Sequence, residues 1–228
     1  MATSRDYVRH AIMTLSSCSR DNPLWLTSAE AFSAHVRAKL SPVGASAPAP
    51  GPSDYDLNGG PPAPGSPPIP AAVLIPIVAR SELSVLLTKR TATLARHAGQ
   101  IAFPGGRIDD GDASPVAAAL REAHEEIGLD PARVSVLGTL DTYRSGTGYA
   151  ITPVVALTTP GQSLTLHPGE VDEVFEVPLA FLMAAATMKI HSRIWQGSER
   201  HYYAIPFGER YIWGVTAGII RNMQLRLV

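Results

Sequence analysis

Apolar residues run almost unbroken from Ala71 to Ala79 (AAVLIPIVA), and a second apolar stretch, Leu83 to Lys89, follows after a short polar break. Short Val/Ile/Leu-rich runs of this kind predict strands buried on both faces of a sheet. Further strands are predicted over Val134 to Thr142, Ile151 to Leu157, Ile190 to Trp195 and His201 to Ile205, with helices over Pro178 to Ala186 and Ile212 to Leu225. Because strands and helices mix without strict alternation, the pattern predicts an α/β domain over residues 71–228, a mixed sheet covered by helices. Ahead of it, residues 23–40 read as an amphipathic helix. Ser28 offers an N-cap, and Phe32, Val36 and Leu40 recur four apart as a stripe expected to dock on the main domain. Ser41 to Pro70 is dominated by Pro, Gly, Ala and Ser and reads as a linker or wrapped loop, too poor in buried apolar surface to order itself. Residues 1–22 read as an N-terminal extension, either disordered or upstream of the true start.

The sharpest helix pattern lies between Ser114-Pro115, a side-chain cap followed by proline at the first helical position, and the stop at Gly128. Val116, Leu120, Ala123 and Ile127 recur at helical spacing and fall within a narrow arc that must face the core. On the same wheel Glu122 and Glu126 are neighbours with Glu125 beside them, and all three are expected to avoid the apolar face. A solvated acidic face is one reading. Against it, a like-charged i,i+4 pair costs roughly 0.2–0.5 kcal/mol, and carboxylates in the last turn oppose the helix dipole by about 0.3–1 kcal/mol. No lysine in the segment relieves this. A divalent cation converts the repulsion into ligation, and hard carboxylate donors suit Mg²⁺ or Mn²⁺. Glu122, Glu125 and Glu126 are therefore the predicted metal ligands. The preceding Phe103-Pro104-Gly105-Gly106 supports this, since Gly105 and Gly106 allow positive φ and let backbone approach a ligand or metal closely; alone it would read as a tight turn.

Composition narrows the class. The 228 residues are 45% hydrophobic and 17% charged, enough for one sizeable core. The 19 basic and 20 acidic residues leave a formal net charge of -1, so no global field favours nucleic acid or an anionic membrane, and an anionic ligand must be bound locally. Cys18 is the only cysteine, which excludes an intramolecular disulfide and a cysteine-based zinc cluster. No apolar run approaches the ~20 residues of a membrane span, and no secretory signal is read at the N-terminus. A cytoplasmic enzyme acting on a small molecule, with no nucleic-acid or membrane partner, is expected; a homodimer is left open.

Gly106 to Leu129 resembles the Nudix box, in which a glycine loop leads into a helix carrying R-E-x-x-E-E-x-G. Arg121-Glu122-Ala123-His124-Glu125-Glu126-Ile127-Gly128-Leu129 matches fully, whereas Asp112 stands where the family usually has Glu, and eight residues rather than seven separate it from Arg121. The flanks, Leu86-Leu87-Thr88-Lys89-Arg90 and His97-Ala98-Gly99-Gln100-Ile101-Ala102-Phe103-Pro104, are similar to the coenzyme A diphosphatase branch, with departures at Thr91 and Ala95. Asp141-Thr142-Tyr143, Gly148 to Pro153 and Ile212 to Ala217 also look like that branch.

The resemblance implies a Nudix-type α/β/α sandwich and metal-dependent hydrolysis of coenzyme A or acyl-CoA to 3′,5′-ADP and 4′-phosphopantetheine or its acylated form. Other substrates on the same fold, such as NADH, ADP-ribose or a nucleotide, and a non-catalytic nucleotide sensor stand as alternatives. Glu122, Glu125 and Arg121 carry the catalytic roles, with Arg121 read as orienting a carboxylate and a surface ion pair as its alternative. The general base is one of the helix glutamates or an acidic residue of Glu170-Val171-Asp172-Glu173 brought in by a loop, with plain solvated loop the other reading of that segment. Lys89, Arg90 and Arg96 are read as holding the anionic nucleotide, beside Gly105 and Gly106. Tyr143 and Tyr149 are read as candidates to stack on adenine, with core packing the competing reading for at least one of them.

Overall fold

The computed structural model describes residues 23–44, 50–60, 67–94, 97–195 and 197–228. The expectations placed on residues 1–22, on 45–49 and 61–66 of the linker stretch, and on Arg96 lie outside the described residues. In chain order the elements are α1 (Ala29–Arg37), β1 (Pro50–Ser53), β2 (Ile69–Val78), β3 (Ser84–Arg90), β4 (Ile101–Ala102), β5 (Gly105–Arg107), α2 (Pro115–Ile127), β6 (Val134–Thr139), β7 (Thr142–Arg144), β8 (Tyr149–Thr158), β9 (Val171–Pro178), α3 (Leu179–Met183), β10 (Lys189–Trp195), β11 (Ser198–Phe207), β12 (Arg210–Trp213) and α4 (Val215–Leu227).

The main sheet runs β1-β7-β8-β2-β3-β4, with β5 pairing β2, β6 pairing β8 and β9 pairing β3. Its central strand β2 is parallel to β8 and antiparallel to β3 and β5, so the sheet is mixed. Alternation along β2 sorts its side chains: Ala71, Ile75 and Ile77 join one apolar cluster, Ala72, Leu74 and Val78 the other. The first face is covered by α4, through Ile219, Ile220, Met223 and Leu227, and by α1, through Phe32 and Val36. The second is covered by α2, through Ala118, Ala119, Ala123 and Ile127. An α/β/α sandwich results. A separate antiparallel sheet, β10-β11-β12, sends Ile205 and Ile212 into the first cluster. Among the described residues no helix is long and apolar enough to cross a membrane.

Several boundaries differ from the pattern's expectation, each for a local reason. The run over 134–142 divides into β6 and β7, with Gly138 at φ 154 and a register slip against β8 between Val136 and Gly138, the mark of a bulge. Ile212 and Trp213, expected to open the last helix, belong to β12, because Gly214 at φ 63 turns the chain before α4 begins. The helix expected to reach Ala186 ends at Met183, where Ala184 turns extended. Glu170 to Glu173, read as loop, enters β9 at Val171. The proline-rich stretch is also not uniformly without structure. Pro50–Ser53 adds a parallel strand to β7, and Asp56 accepts hydrogen bonds from the Ser53 N–H at 2.9 Å and Oγ at 2.8 Å. Side-chain hydrogen bonding, not apolar burial, organises that turn.

Candidate active site

Local chemistry sets the limits of α2. The Ser114 side chain accepts from the Ala117 N–H at 3.1 Å, Pro115 occupies the first turn, and Gly128 at φ 67 closes the helix in the left-handed region. The helix packs on β2, β5 and β8, so its second half brings Glu122 and Glu126 against β5. Gly105 and Gly106 belong to that strand, paired with Val73 and Ala72.

The two glycines are crowded by different partners, Gly105 by backbone and Gly106 by the end of a flexible side chain. A Cβ on Gly105 would lie 2.4 Å from the Ala72 carbonyl oxygen, and one on Gly106 would lie 2.5–2.7 Å from the Glu122 carboxylate. The Gly105 N–H donates to Glu126 Oε2 at 3.3 Å. Gly105 thus packs on the β2 backbone and bonds Glu126, and Gly106 packs on Glu122.

Glu126 corrects the expectation that all three glutamates avoid the buried face. It is only 3% exposed, and Arg90 Nη1 lies 3.5 Å from its Oε1. Burial pushes its carboxyl up to about 7 against the opposing pull of Arg90 and the Gly105 N–H, with Glu122 and Glu170 pushing the same way as burial. Glu122 is also raised, chiefly by burial and against the pull of Arg121. Glu125 is the outward member, with a side chain 57% exposed.

Arg121 organises the outer half of the cluster. Its Nε and Nη2 donate to the two oxygens of Asp112 at 3.0 and 2.8 Å, and its Nη1 donates to Glu122 and Glu125, both at 3.0 Å. A further bond from Nη2 reaches the Arg107 carbonyl at 3.2 Å. The guanidinium thus positions carboxylates, and Asp112 anchors it despite the longer spacing. These contacts also correct the electrostatic premise read from the helix wheel. Arginines from outside and inside the helix relieve part of the repulsion that no lysine relieves. Asp112, Glu122, Glu125 and Glu126 still outnumber Arg90 and Arg121.

The remaining predicted residues divide. Lys89 is exposed at the end of β3, opposite Glu173 in register. Tyr143 is 1% exposed, and its hydroxyl donates to Asp54 Oδ1 at 2.6 Å beneath Gly218. It cannot stack on adenine. The side chain that lies near the box is Tyr149, whose hydroxyl accepts from Arg107 Nη2 at 3.3 Å. Of the acidic segment, Glu173 pairs with Arg210 and Glu170 lies 3.9 Å from His167 Nδ1, its charge adding the smallest of the upward pushes on Glu122 and Glu126. Its loop is hooked to the helix end, with Thr165 N–H donating to the Ile127 carbonyl at 3.0 Å and His167 N–H to that of Glu126 at 2.9 Å. That hook carries no side-chain signal.

Among the described residues no three acidic, histidine or cysteine groups converge as a ready-made metal site, and Arg121 holds Glu122 and Glu125. The donor chemistry nevertheless suits a hard divalent ion. Glu122 and Glu126 are desolvated carboxylates with raised pKa values, in a cluster whose acidic groups Arg90 and Arg121 only partly offset, and all the donors are oxygens.

The NUDIX domain family model matches residues 68–195. The chain belongs to the Nudix family. It is 45% identical over 165 residues to a Cronobacter sakazakii protein named "Uncharacterized Nudix hydrolase NudL", covering 69% of this chain and 82% of the relative. To the protein of the same name in Escherichia coli K12 it is 46% identical over 159 residues, with the same coverage. The NUDIX domain of Shewanella oneidensis NrtR, solved in complex with ADP ribose, aligns with a TM-score of 0.45 at 20% identity, covering 77% of this chain and 97% of that one. This Nudix chain is a hydrolase of pyrophosphate bonds in small nucleotide substrates, and Nudix hydrolases generally use a divalent ion such as Mg²⁺ or Mn²⁺.

Proposed function

We propose that this Nudix hydrolase cleaves the diphosphate bond of coenzyme A or an acyl-CoA, releasing 3′,5′-ADP and 4′-phosphopantetheine or its acylated form. The observation that carries the reading is the pair of segments just upstream of the box, on which the likeness to coenzyme A diphosphatases rests. They are bound to each other beside Glu126. The Arg90 N–H donates to the Gln100 carbonyl at 2.9 Å, the Gly99 N–H to that of Thr91 at 3.3 Å, and His97 Nδ1 lies 2.9 Å from Gln100 Oε1. Lys89 and Arg90 add cations there for a polyanionic substrate.

In this reading Glu122 and Glu126, with Glu125 as third, would hold Mg²⁺ or Mn²⁺, which would supply positive charge toward the phosphate oxygens and acidify the attacking water. Arg121 fixes the directions of Glu122 and Glu125, and Asp112 fixes Arg121. Glu170 accepts the proton of the water that adds to phosphorus, and the bridging oxygen leaves with the other phosphate. Mass spectrometry of the purified protein incubated with Mg²⁺ or Mn²⁺ and coenzyme A should show 3′,5′-ADP and 4′-phosphopantetheine. Intact coenzyme A beside degraded ADP-ribose would overturn the substrate and leave the diphosphatase standing.

A further inference from the structure

All seven residues of β10, Lys189–Trp195, are exposed. The strand pairs with β11 along one edge, and among the described residues nothing pairs with the other. Ile190 is 57%, Ile194 73% and Trp195 50% exposed, so one strand gathers several of the large exposed apolar side chains. A bare edge of this kind, about 23 Å long at about 3.3 Å per residue, is a template for another strand. None of the residues assigned to the hydrolytic site lies on it.

The order of residues along β10 identifies the strand it fits. Its register with β11 places Ile190, Ser192 and Ile194 on one face, and Lys189, His191, Arg193 and Trp195 on the other. A continuous antiparallel pairing with a second copy requires opposite residues to share a face, so the two-fold axis must pass through a residue. Centred on Ser192, Ile190 meets Ile194 of the other copy, Lys189 meets Trp195, and His191 meets Arg193. Apolar side chains then face each other, and an ammonium lies against an indole. The neighbouring centres fail. An axis at His191 sets Lys189 opposite Arg193, and an axis at Arg193 sets that residue opposite itself, like charges in either case. Arg193 is also held in place, its guanidinium carbon 4.9 Å from the Trp195 ring centroid and 4.7 Å from that of Trp213.

We propose that two copies of this chain associate through β10, antiparallel and centred on Ser192, joining their three-stranded sheets into one continuous sheet. Sedimentation velocity of the full chain at tens of micromolar should give about twice the 24.2 kDa chain mass. Ile190→Lys with Ile194→Lys sets lysine opposite lysine and should return the monomer, whereas Ile190→Glu with Ile194→Lys should restore the dimer. Both positions are exposed, so unchanged circular dichroism and hydrolysis report an intact fold. The register has its own test. In a Cys18→Ser background, Ser192→Cys should cross-link on mild oxidation, because directly opposite Cα atoms lie about 4.5–5.5 Å apart, within disulfide reach. Ile190→Cys should not, since the two copies of that position are four residues apart along the strand. A monomeric wild type, or a dimer that survives the double lysine variant, would overturn the interface. Equal cross-linking at both cysteines would overturn the register.

Discussion

Arg121 grips both oxygens of Asp112, at 3.0 and 2.8 Å, with one side of its guanidinium, and holds Glu122 and Glu125 with the other. Asp112→Asn should therefore slacken the glutamates without touching them, lowering kcat/KM by about 10- to 100-fold, the range for partners that orient ligands. The same pair sets a pH dependence. The Arg121 hydrogen bonds, and then the Asp109 N–H, hold the Asp112 carboxyl down at about 2. A depressed folded-state pKa gives stability that is present above the ordinary carboxylate range and lost as pH falls through the folded value. Urea midpoints of wild type and Asp112→Asn should differ at neutral pH and converge between about pH 4 and about pH 2.

Gly106→Ala and Gly105→Ala should fail differently. The first places a methyl 2.5–2.7 Å from the movable Glu122 carboxylate, so the fold should survive while calorimetry shows Mn²⁺ affinity falling about 10- to 100-fold. The second meets backbone, the Ala72 oxygen at 2.4 Å and the Val73 Cα at 2.6 Å, at φ 154. It should lower stability by about 1–3 kcal/mol in thermal melts, whatever the metal.

Glu126→Gln removes a buried carboxylate that the fold leaves short of positive charge. Without metal its melting temperature should be no lower than wild type, whereas kcat should fall by more than about 100-fold, beyond the usual effect of an orienting partner. Adding Mg²⁺ after chelation should raise the melting temperature of wild type and leave this variant unmoved. Glu170→Gln should cut kcat by about 10²–10⁴-fold, as expected for a general base, and keep its metal-dependent stabilisation.

Tyr143→Phe tests the corrected assignment. Loss of the buried bond to Asp54 should cost about 1–3 kcal/mol in denaturant unfolding and leave kcat/KM unchanged. A stacking role would give the opposite pattern, a raised KM with unchanged stability.

The helix bearing the glutamates was legible because caps are local. Ser114, Pro115 and Gly128 do their work within a few residues of themselves. The buried runs of β2 and β3 were legible because apolar residues have one place to go. β5 was not, since Gly105-Gly106-Arg107 has no strand propensity of its own and exists through pairing to Ala71–Val73. Tyr143 was misread because its partner, Asp54, lies 89 positions earlier in a stretch whose composition signals nothing ordered. The identity of the glutamates was readable, but the burial of Glu126 depends on where β5 closes over it.

The hook of Thr165 and His167 onto the last carbonyls of α2 makes loop length a tuning parameter of this enzyme. Residues inserted before Thr165 would loop outward and leave the hydrolytic geometry alone. A single residue inserted between His167 and Glu170 would slide that carboxylate by up to about 3.3 Å, a displacement larger than a hydrogen bond tolerates. Variation in relatives of this chain should accordingly be permissive on one side of His167 and length-locked on the other.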